Sequence, residues 1–258
     1  MPKNSSRNSS SGSASGSASG SASGSATGSS QLVSLSGDQL RAHFRAQRRA
    51  LSEAQQHASA QQLAQHFTRS AAFHHAESIA FYLAADGELS VDCLLAAALA
   101  AGKRCFLPVA EREDCSMRFL RYEGDLSSLV ANAWGILEPA SSCEAIAATD
   151  LDLVLMPLVA CDEHGNRLGR GKGFYDRAFD FVRTPSASEN PPLLVGIAHE
   201  CQICPTPLPY ESWDVPLAAI ATPTKLLASK LLASSTPIYL TFHFLLACLK
   251  TLAILLYK

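Results

Sequence analysis

The sequence predicts an α/β domain, with a mainly parallel sheet carrying helices on both faces. Two observations predict it. Short apolar runs of strand length alternate with stretches of helical periodicity between about residues 38 and 225. The densest glycine segment within that stretch follows one such run and precedes a helical one, as a ligand loop does in that architecture.

The elements can be justified in order. From Asp38 to about Thr68, Leu40, Phe44, Leu51 and Leu63 supply apolar positions among Ala and Gln, so one helical stretch is expected. Ser78-Ile-Ala-Phe-Tyr-Leu83 reads as a buried strand. Val91 to Ala101 reads as a helix stopped by Gly102. Arg104-Cys-Phe-Leu-Pro108 is a second strand, and the alternating Met117–Tyr122 a third. Leu151–Met156 is a fourth, closed by Pro157. Phe174 to Phe181 should be helical, and Leu193–Ile197 a further strand.

The two ends fall outside this pattern. Residues 1–30 hold 14 Ser, 5 Gly and 4 Ala, too little apolar surface to offset the entropy of folding. Residues 1–36 are therefore expected to be a flexible tail. It is Ser-rich, with Lys3 and Arg7 and no acid before Asp38, which partly fits an organelle transit peptide. No secretory apolar region is present, so the cytoplasm is the expected compartment, with a mitochondrial address as the alternative. Residues 233–258 form an apolar extension. The run 237–257 approaches the roughly 20 residues of a spanning helix, interrupted by His243 and Lys250. A membrane anchor is one reading of it, a packed helix another, an artefactual extension of the reading frame a third. Between the ends, 37–232 is the size of one domain.

Composition narrows the function. Lys and Arg number 21 against 23 Asp and Glu, a net charge of −2, which excludes a polybasic nucleic-acid coat. The eight cysteines are scattered, and Cys201-x-x-Cys204 has no second pair, so a zinc site is not expected. No heptad or repeated interface pattern appears, and a monomer is the default.

The chemistry is concentrated in Arg167-Leu-Gly-Arg-Gly-Lys-Gly-Phe-Tyr-Asp-Arg177. Gly169, Gly171 and Gly173 permit positive φ and converging N–H groups, and the following helix N-terminus adds to an anion nest. Arg167, Arg170 and Lys172 add cationic donors, a combination suited to polyphosphate. The spacing is neither a Walker A loop nor a dinucleotide fingerprint. Phe174 and Tyr175 offer rings to stack on a flat ligand. Asp176 is a natural magnesium ligand beside phosphate. On the first helix, Arg41, Arg45 and Arg48 share a face, and Arg49 follows.

This segment resembles the signature of the 5-formyltetrahydrofolate cyclo-ligase family. The resemblance continues in the family's order through Leu40-Arg41, Arg48–Leu51, Phe81–Glu88, Ala101–Pro108, Trp134–Pro139, Met156–Ala160, Gly196–His199, Trp213–Pro216 and Thr222-Pro223. It implies a three-layer α/β/α sandwich similar to the sugar-phosphate isomerase and CoA-transferase group. It implies ATP-dependent conversion of 5-formyltetrahydrofolate to 5,10-methenyltetrahydrofolate, with Mg2+ and release of ADP and phosphate. Carried over by position, it places ATP on Arg41, Arg49, Arg167, Leu168, Gly169, Arg170, Gly171, Lys172, Gly173, Phe174 and Tyr175. Lys172 and Arg170 become the catalytic cations, with Lys172 on the transferred phosphoryl group. Leu83, Glu88 and Phe174 would contact the folate, and Asp176 and Asp214 would hold the magnesium.

Other readings stand beside these. Glu88 would otherwise be an exposed turn residue, Asp214 a cap or turn residue, Asp176 an ion-pair partner of Arg177, and the helix arginines a solvated face. A catalytically silent nucleotide-, folate- or RNA-binding relative and a sugar-phosphate isomerase are the rival functions. Two departures from the family pattern are visible. Gly37 stands where some members carry Lys, and Phe174 where many carry Tyr.

Overall fold

A computed structural model describes residues 32–111, 115–132, 135–184 and 190–229. Trp134 and the expected tail and extension, apart from residues 32–36, lie outside the described residues. Among the described residues no helix is long and apolar enough to cross a membrane.

The expected single helix is two. Helix α1 spans Gly37–Arg49 and α2 spans Glu53–Phe67. Each opens on a capping box: the Ser36 hydroxyl accepts from the Gln39 N–H, and the Ser52 hydroxyl from the Gln55 N–H, with each Gln side chain returning to its Ser backbone. The second box restarts the chain in a new direction, which a purely periodic reading overlooks. A short α3, Ala71–His75, leads into strand β1, Ser78–Ala80. Helix α4, Asp92–Ala100, ends as expected before Gly102.

Strands β2 (Arg104–Ala110) and β3 (Met117–Arg121) follow. The small β4–β5 hairpin, Leu129–Ala131 and Leu137–Pro139, lies off the main sheet, and β6 is Ala145–Ile146. Then come β7 (Leu153–Pro157), β8 (Ala160–Cys161), β9 (Arg167–Leu168) and helix α5 (Phe174–Ala178). Strands β10 (Leu193–Ile197), β11 (Ala219–Ala221) and β12 (Leu226–Ala228) complete the set. The helix expected to reach Phe181 stops at Ala178. Phe179 adopts φ −117°, and a 3-10 turn over Asp180–Arg183 replaces the last coil.

The eight-stranded sheet runs β12-β11-β10-β7-β1-β2-β3-β6. Its five central strands, β11 to β2, are parallel, and the three edge additions are antiparallel. Alternation along the strands sends side chains to two cores. Ile79, Leu153, Leu155, Val195 and Ala221 face Leu63 and Phe67 of α2 and Leu94 of α4. Ala80, Val154, Met156, Leu194 and Ile220 face the opposite side, where Tyr175, Ala178 and Phe179 pack. A third cluster seats Leu40 and Phe44 of α1 on Val159, Ala160, Leu168 and Leu208. Leu32 and Leu35, inside the expected tail, pack against this cluster.

Gly196 marks where the second core is tightest. A Cβ there would lie 2.5 Å from Leu217 Cδ1 and 2.8 Å from Leu158 Cδ2. Gly196→Ala is expected to cost about 1–3 kcal/mol of overpacking, measured by denaturant unfolding. A variant as stable as wild type would show that this core yields freely.

Candidate active site

The carboxyl ends of three neighbouring parallel strands feed one region. Strand β1 leads into Phe81–Glu88, β7 into Leu158 and the glycine loop, and β10 into His199. Ligand sites of open parallel sheets form at such ends.

The glycine loop hangs on the β8–β9 ribbon. Buried Asp162 organises the ribbon's turn: its carboxylate accepts from the His164 N–H at 2.9 Å, the Asn166 N–H at 3.1 Å, Asn166 Nδ2 at 2.9 Å and the Leu208 N–H at 2.8 Å. Leu168 is buried in the α1 cluster and its carbonyl accepts from the Val159 N–H at 2.7 Å. Its side chain anchors the loop from beneath. Beyond Leu168 the backbone emerges. The Gly169 carbonyl accepts from Arg41 Nε at 3.0 Å. Gly171 and Gly173 have φ of +91° and +67°, conformations that favour glycine, whereas Gly169 does not use its freedom. Helix α5 has only five residues, so its dipole adds little to the expected nest.

The three loop cations differ sharply. Arg170 reaches back to Glu88, with Nε at 3.2 Å and a terminal nitrogen at 2.9 Å from Oε1. Glu88 is buried, not an exposed turn residue, and its other oxygen accepts from the Ala85 N–H at 3.2 Å. Arg167 is almost wholly buried. It pairs with Asp176 and donates to the Val215 carbonyl, so it is committed within the protein and does not face outward. Lys172 is exposed, and its ammonium has no partner among the described residues. Of the expected loop cations, Lys172 and the outer face of Arg170 stay open, with Arg41 beside Gly171.

Asp176 pairs with Arg167 rather than with Arg177, whose guanidinium donates to the Lys172 carbonyl at 2.7 Å. Asp176 also accepts from the Val215 N–H at 3.1 Å, which brings it next to Asp214 in the chain. Asp214 itself closes a turn, accepting from the Glu211 N–H at 2.8 Å. Among the described residues no group of three or more His, Cys, Asp or Glu side chains gathers as a metal cage. The cysteines from Cys93 to Cys204 are free thiols.

Tyr175 stacks on Phe179 with ring planes 14° apart, so it packs inward. Phe174 is half-buried and has no ring partner among the described residues. Burial, reinforced by the Glu88 charge, raises the Tyr175 hydroxyl well above its usual range, against Arg167 and Arg170. It stays protonated at neutral pH. Leu83 is partly buried against the first core, one residue after buried Tyr82.

Two residues with no assigned role in the sequence dominate the adjoining network. Asp86 sits at φ +58°, uncommon for a side-chain-bearing residue. Its carboxylate pairs with Arg49 and, at 2.8 Å, with Arg48, and Arg45 lies 3.9 Å away. Partial burial pushes the Asp86 carboxyl up, but the Arg49 and Arg48 hydrogen bonds and charges outweigh that and hold it below the usual range. Arg48 is fully buried, not part of a solvated face. The visible signal was the Asp86-Gly87 pair, a left-handed turn signature. Arg48 had none, since its periodicity groups it with the half-buried Arg41 and Arg45.

Gln56 ties this network to β10. It donates to the Arg48 carbonyl at 3.2 Å and pairs with His199 Nε2 at 2.9 Å. Burial holds the His199 imidazole below the usual histidine range, with Arg48 lowering it further against Glu200. In the unfolded chain the imidazole ionises near pH 6.5; in the fold it resists the proton. The unfolded chain thus binds more protons, and stability is lost as pH falls below that range. Melting temperature should drop between pH 7.5 and 5.5, and His199→Gln should flatten that slope. An unchanged slope would assign it to other groups.

Comparisons with known proteins point to one family. The 5-formyltetrahydrofolate cyclo-ligase family profile matches residues 33–223. A 5-formyltetrahydrofolate cyclo-ligase from Escherichia coli is 39% identical over 183 residues, 70% of this chain and 97% of its own. One from Haemophilus influenzae is 36% identical, covering 69% and 93%. The solution structure of Aquifex aeolicus 5,10-methenyltetrahydrofolate synthetase superposes with a TM-score of 0.63 at 26% identity, over 76% of this chain and 94% of that one. With the glycine loop, its cations and the ordered strand ends in one region, the chain belongs to the 5-formyltetrahydrofolate cyclo-ligase family.

Proposed function

We propose that residues 37–232 convert 5-formyltetrahydrofolate to 5,10-methenyltetrahydrofolate at the expense of ATP. One observation carries this beyond the family assignment. The glycine loop is tied to buried Glu88 by Arg170 across 82 residues of chain, and presents Lys172 unpaired beside that tie. A carboxylate able to accept from pterin N–H groups therefore adjoins a cation able to meet phosphate.

The chemistry needs that adjacency. A formamide oxygen is a poor leaving group. Its attack on the γ-phosphorus displaces ADP and gives an iminium phosphate. Nitrogen 10 then adds to the activated carbon and loses its proton, and phosphate departs with the formyl oxygen. The protein's part is positioning and neutralising charge. Lys172 offsets charge on the transferred group, and Arg41 and the glycine loop hold the remaining phosphates. Arg49 stands exposed at the end of α1 for the same nucleotide. Glu88, Leu83 and Phe174 hold the folate.

Asp176 and Asp214 fit a Mg2+ that arrives with phosphate oxygens better than a resident ion. Asp176 accepts from the Val215 N–H, one residue after Asp214, and Arg167 already offsets the Asp176 charge. Such an ion would supply charge neutralisation on the phosphates.

The full chain mixed with 5-formyltetrahydrofolate, ATP and Mg2+ should develop methenyl absorbance. A folded protein that gives none, with all three present, overturns the reading.

A further inference from the structure

Arg48 has no part in the chemistry above, yet it is the most completely committed cation near the site. It lies about two helical turns beyond Arg41 on α1 and is fully buried. All three guanidinium nitrogens donate. Nε reaches the Asp86 carbonyl at 2.8 Å, one terminal nitrogen the Asp86 carboxylate at 2.8 Å, and the other the Leu158 carbonyl at 3.0 Å. The Glu88 carboxylate is 3.8 Å away. Its acceptors belong to two different strand ends, those after β1 and β7.

A buried guanidinium is a poor way to gain stability alone, since an apolar side chain of similar volume avoids its desolvation. Its specific yield here is geometric. A rigid fork fixes both the carbonyl and the carboxylate of Asp86, and so holds the left-handed turn from which Gly87 and Glu88 follow. Gly87 leaves no room to slip: a Cβ there would stand 3.2 Å from the Arg48 carbonyl. On the same helix, Arg41 holds the glycine loop through the Gly169 carbonyl.

We infer that Arg48 is a positioning residue for the folate half of the site: through Asp86 it sets where the Glu88 carboxylate stands relative to Arg170 and Lys172. Helix α1 then registers the folate-facing and phosphate-facing segments against one another. The inference rests on the proposed reaction only for the identity of the ligand at Glu88.

The test uses the full chain with Arg48→Lys, which keeps the charge and loses the fork. One ammonium cannot serve the Asp86 carbonyl, its carboxylate and the Leu158 carbonyl together. Thermal melting reports the fold. Calorimetric titration with 5-formyltetrahydrofolate, without ATP, reports the folate half directly. The expected result is a folded variant whose folate Kd and KM rise tenfold or more while its KM for ATP stays within threefold. Asp86→Asn should raise the folate Kd likewise, read without ATP because Arg49, placed on the nucleotide, also pairs with Asp86; adding it to Arg48→Lys should add little, and if Arg48→Lys does not fold, the Asp86→Asn folate Kd alone decides. A folded variant with folate Kd within twofold of wild type overturns the inference, as do equal rises for both substrates. Wild type that binds the folate but makes no methenyl product sinks the proposed function alone, and the Kd comparison still decides the role of Arg48. Wild type that binds no folate sinks both.

Discussion

Lys172→Ala should leave the fold intact and lower turnover about 10²–10³-fold, the cost of removing one preorganised partner of transition-state charge. The side chain is exposed and unpartnered among the described residues, so nothing in the fold depends on it. Its neighbours cannot stand in. Arg167 is held by Asp176 and Val215, and Arg170 by Glu88. Arg41, which donates to the Gly169 carbonyl, is taken up by the remaining phosphates. Steady-state kinetics beside a melting curve checks this: kcat should collapse while the melting temperature holds. Near-normal kcat would remove Lys172 from the phosphoryl step.

Arg48→Ala should have the largest effect on stability. Removing one member of a buried charged pair strands the other, typically at about 3–5 kcal/mol. Here the Asp86 carbonyl and one oxygen of its carboxylate lose their Arg48 donors, while the Leu158 carbonyl keeps Gln202 Nε2 at 2.8 Å, and a cavity is added in a region where Arg48 is fully buried. Arg49 still pairs with the Asp86 carboxylate, which keeps the loss toward the lower end. Denaturant unfolding measures it. The double variant Arg48→Ala/Asp86→Ala should recover part of the loss, because the orphaned carboxylate goes too. A single-variant loss below about 1 kcal/mol would mean that water satisfies these groups and the clamp is dispensable.

Much of this was legible in the sequence, for identifiable reasons. Strands such as Leu193–Ile197 and Arg104–Ala110 are apolar and β-branched or aromatic, and their boundaries are marked by Pro and Gly. The loop was legible because three glycines with interleaved cations have few structural uses. The break between α1 and α2 was written in Ser52 and Gln55, but the helical period ran through it and masked it. What stayed hidden depends on long-range partners. Nothing local distinguishes buried Arg48 from exposed Arg49, or committed Arg167 from unpaired Lys172. Those fates are decided by Asp86, Leu158 and Val215, tens of residues away, and by Asp176, nine residues on.

Helix α1 also fixes when the protein can first work during its own synthesis. Its apolar face needs Val159, Leu168 and Leu208, and its arginines need Leu158 and Gly169, over 100 residues downstream. A growing chain therefore carries Leu40 and Phe44 without their cover until most of the sheet has been made. Helix α1 can meet the glycine loop only once Gly169 has been made, so ligand binding that needs both segments reports that early and late parts of the chain have come together.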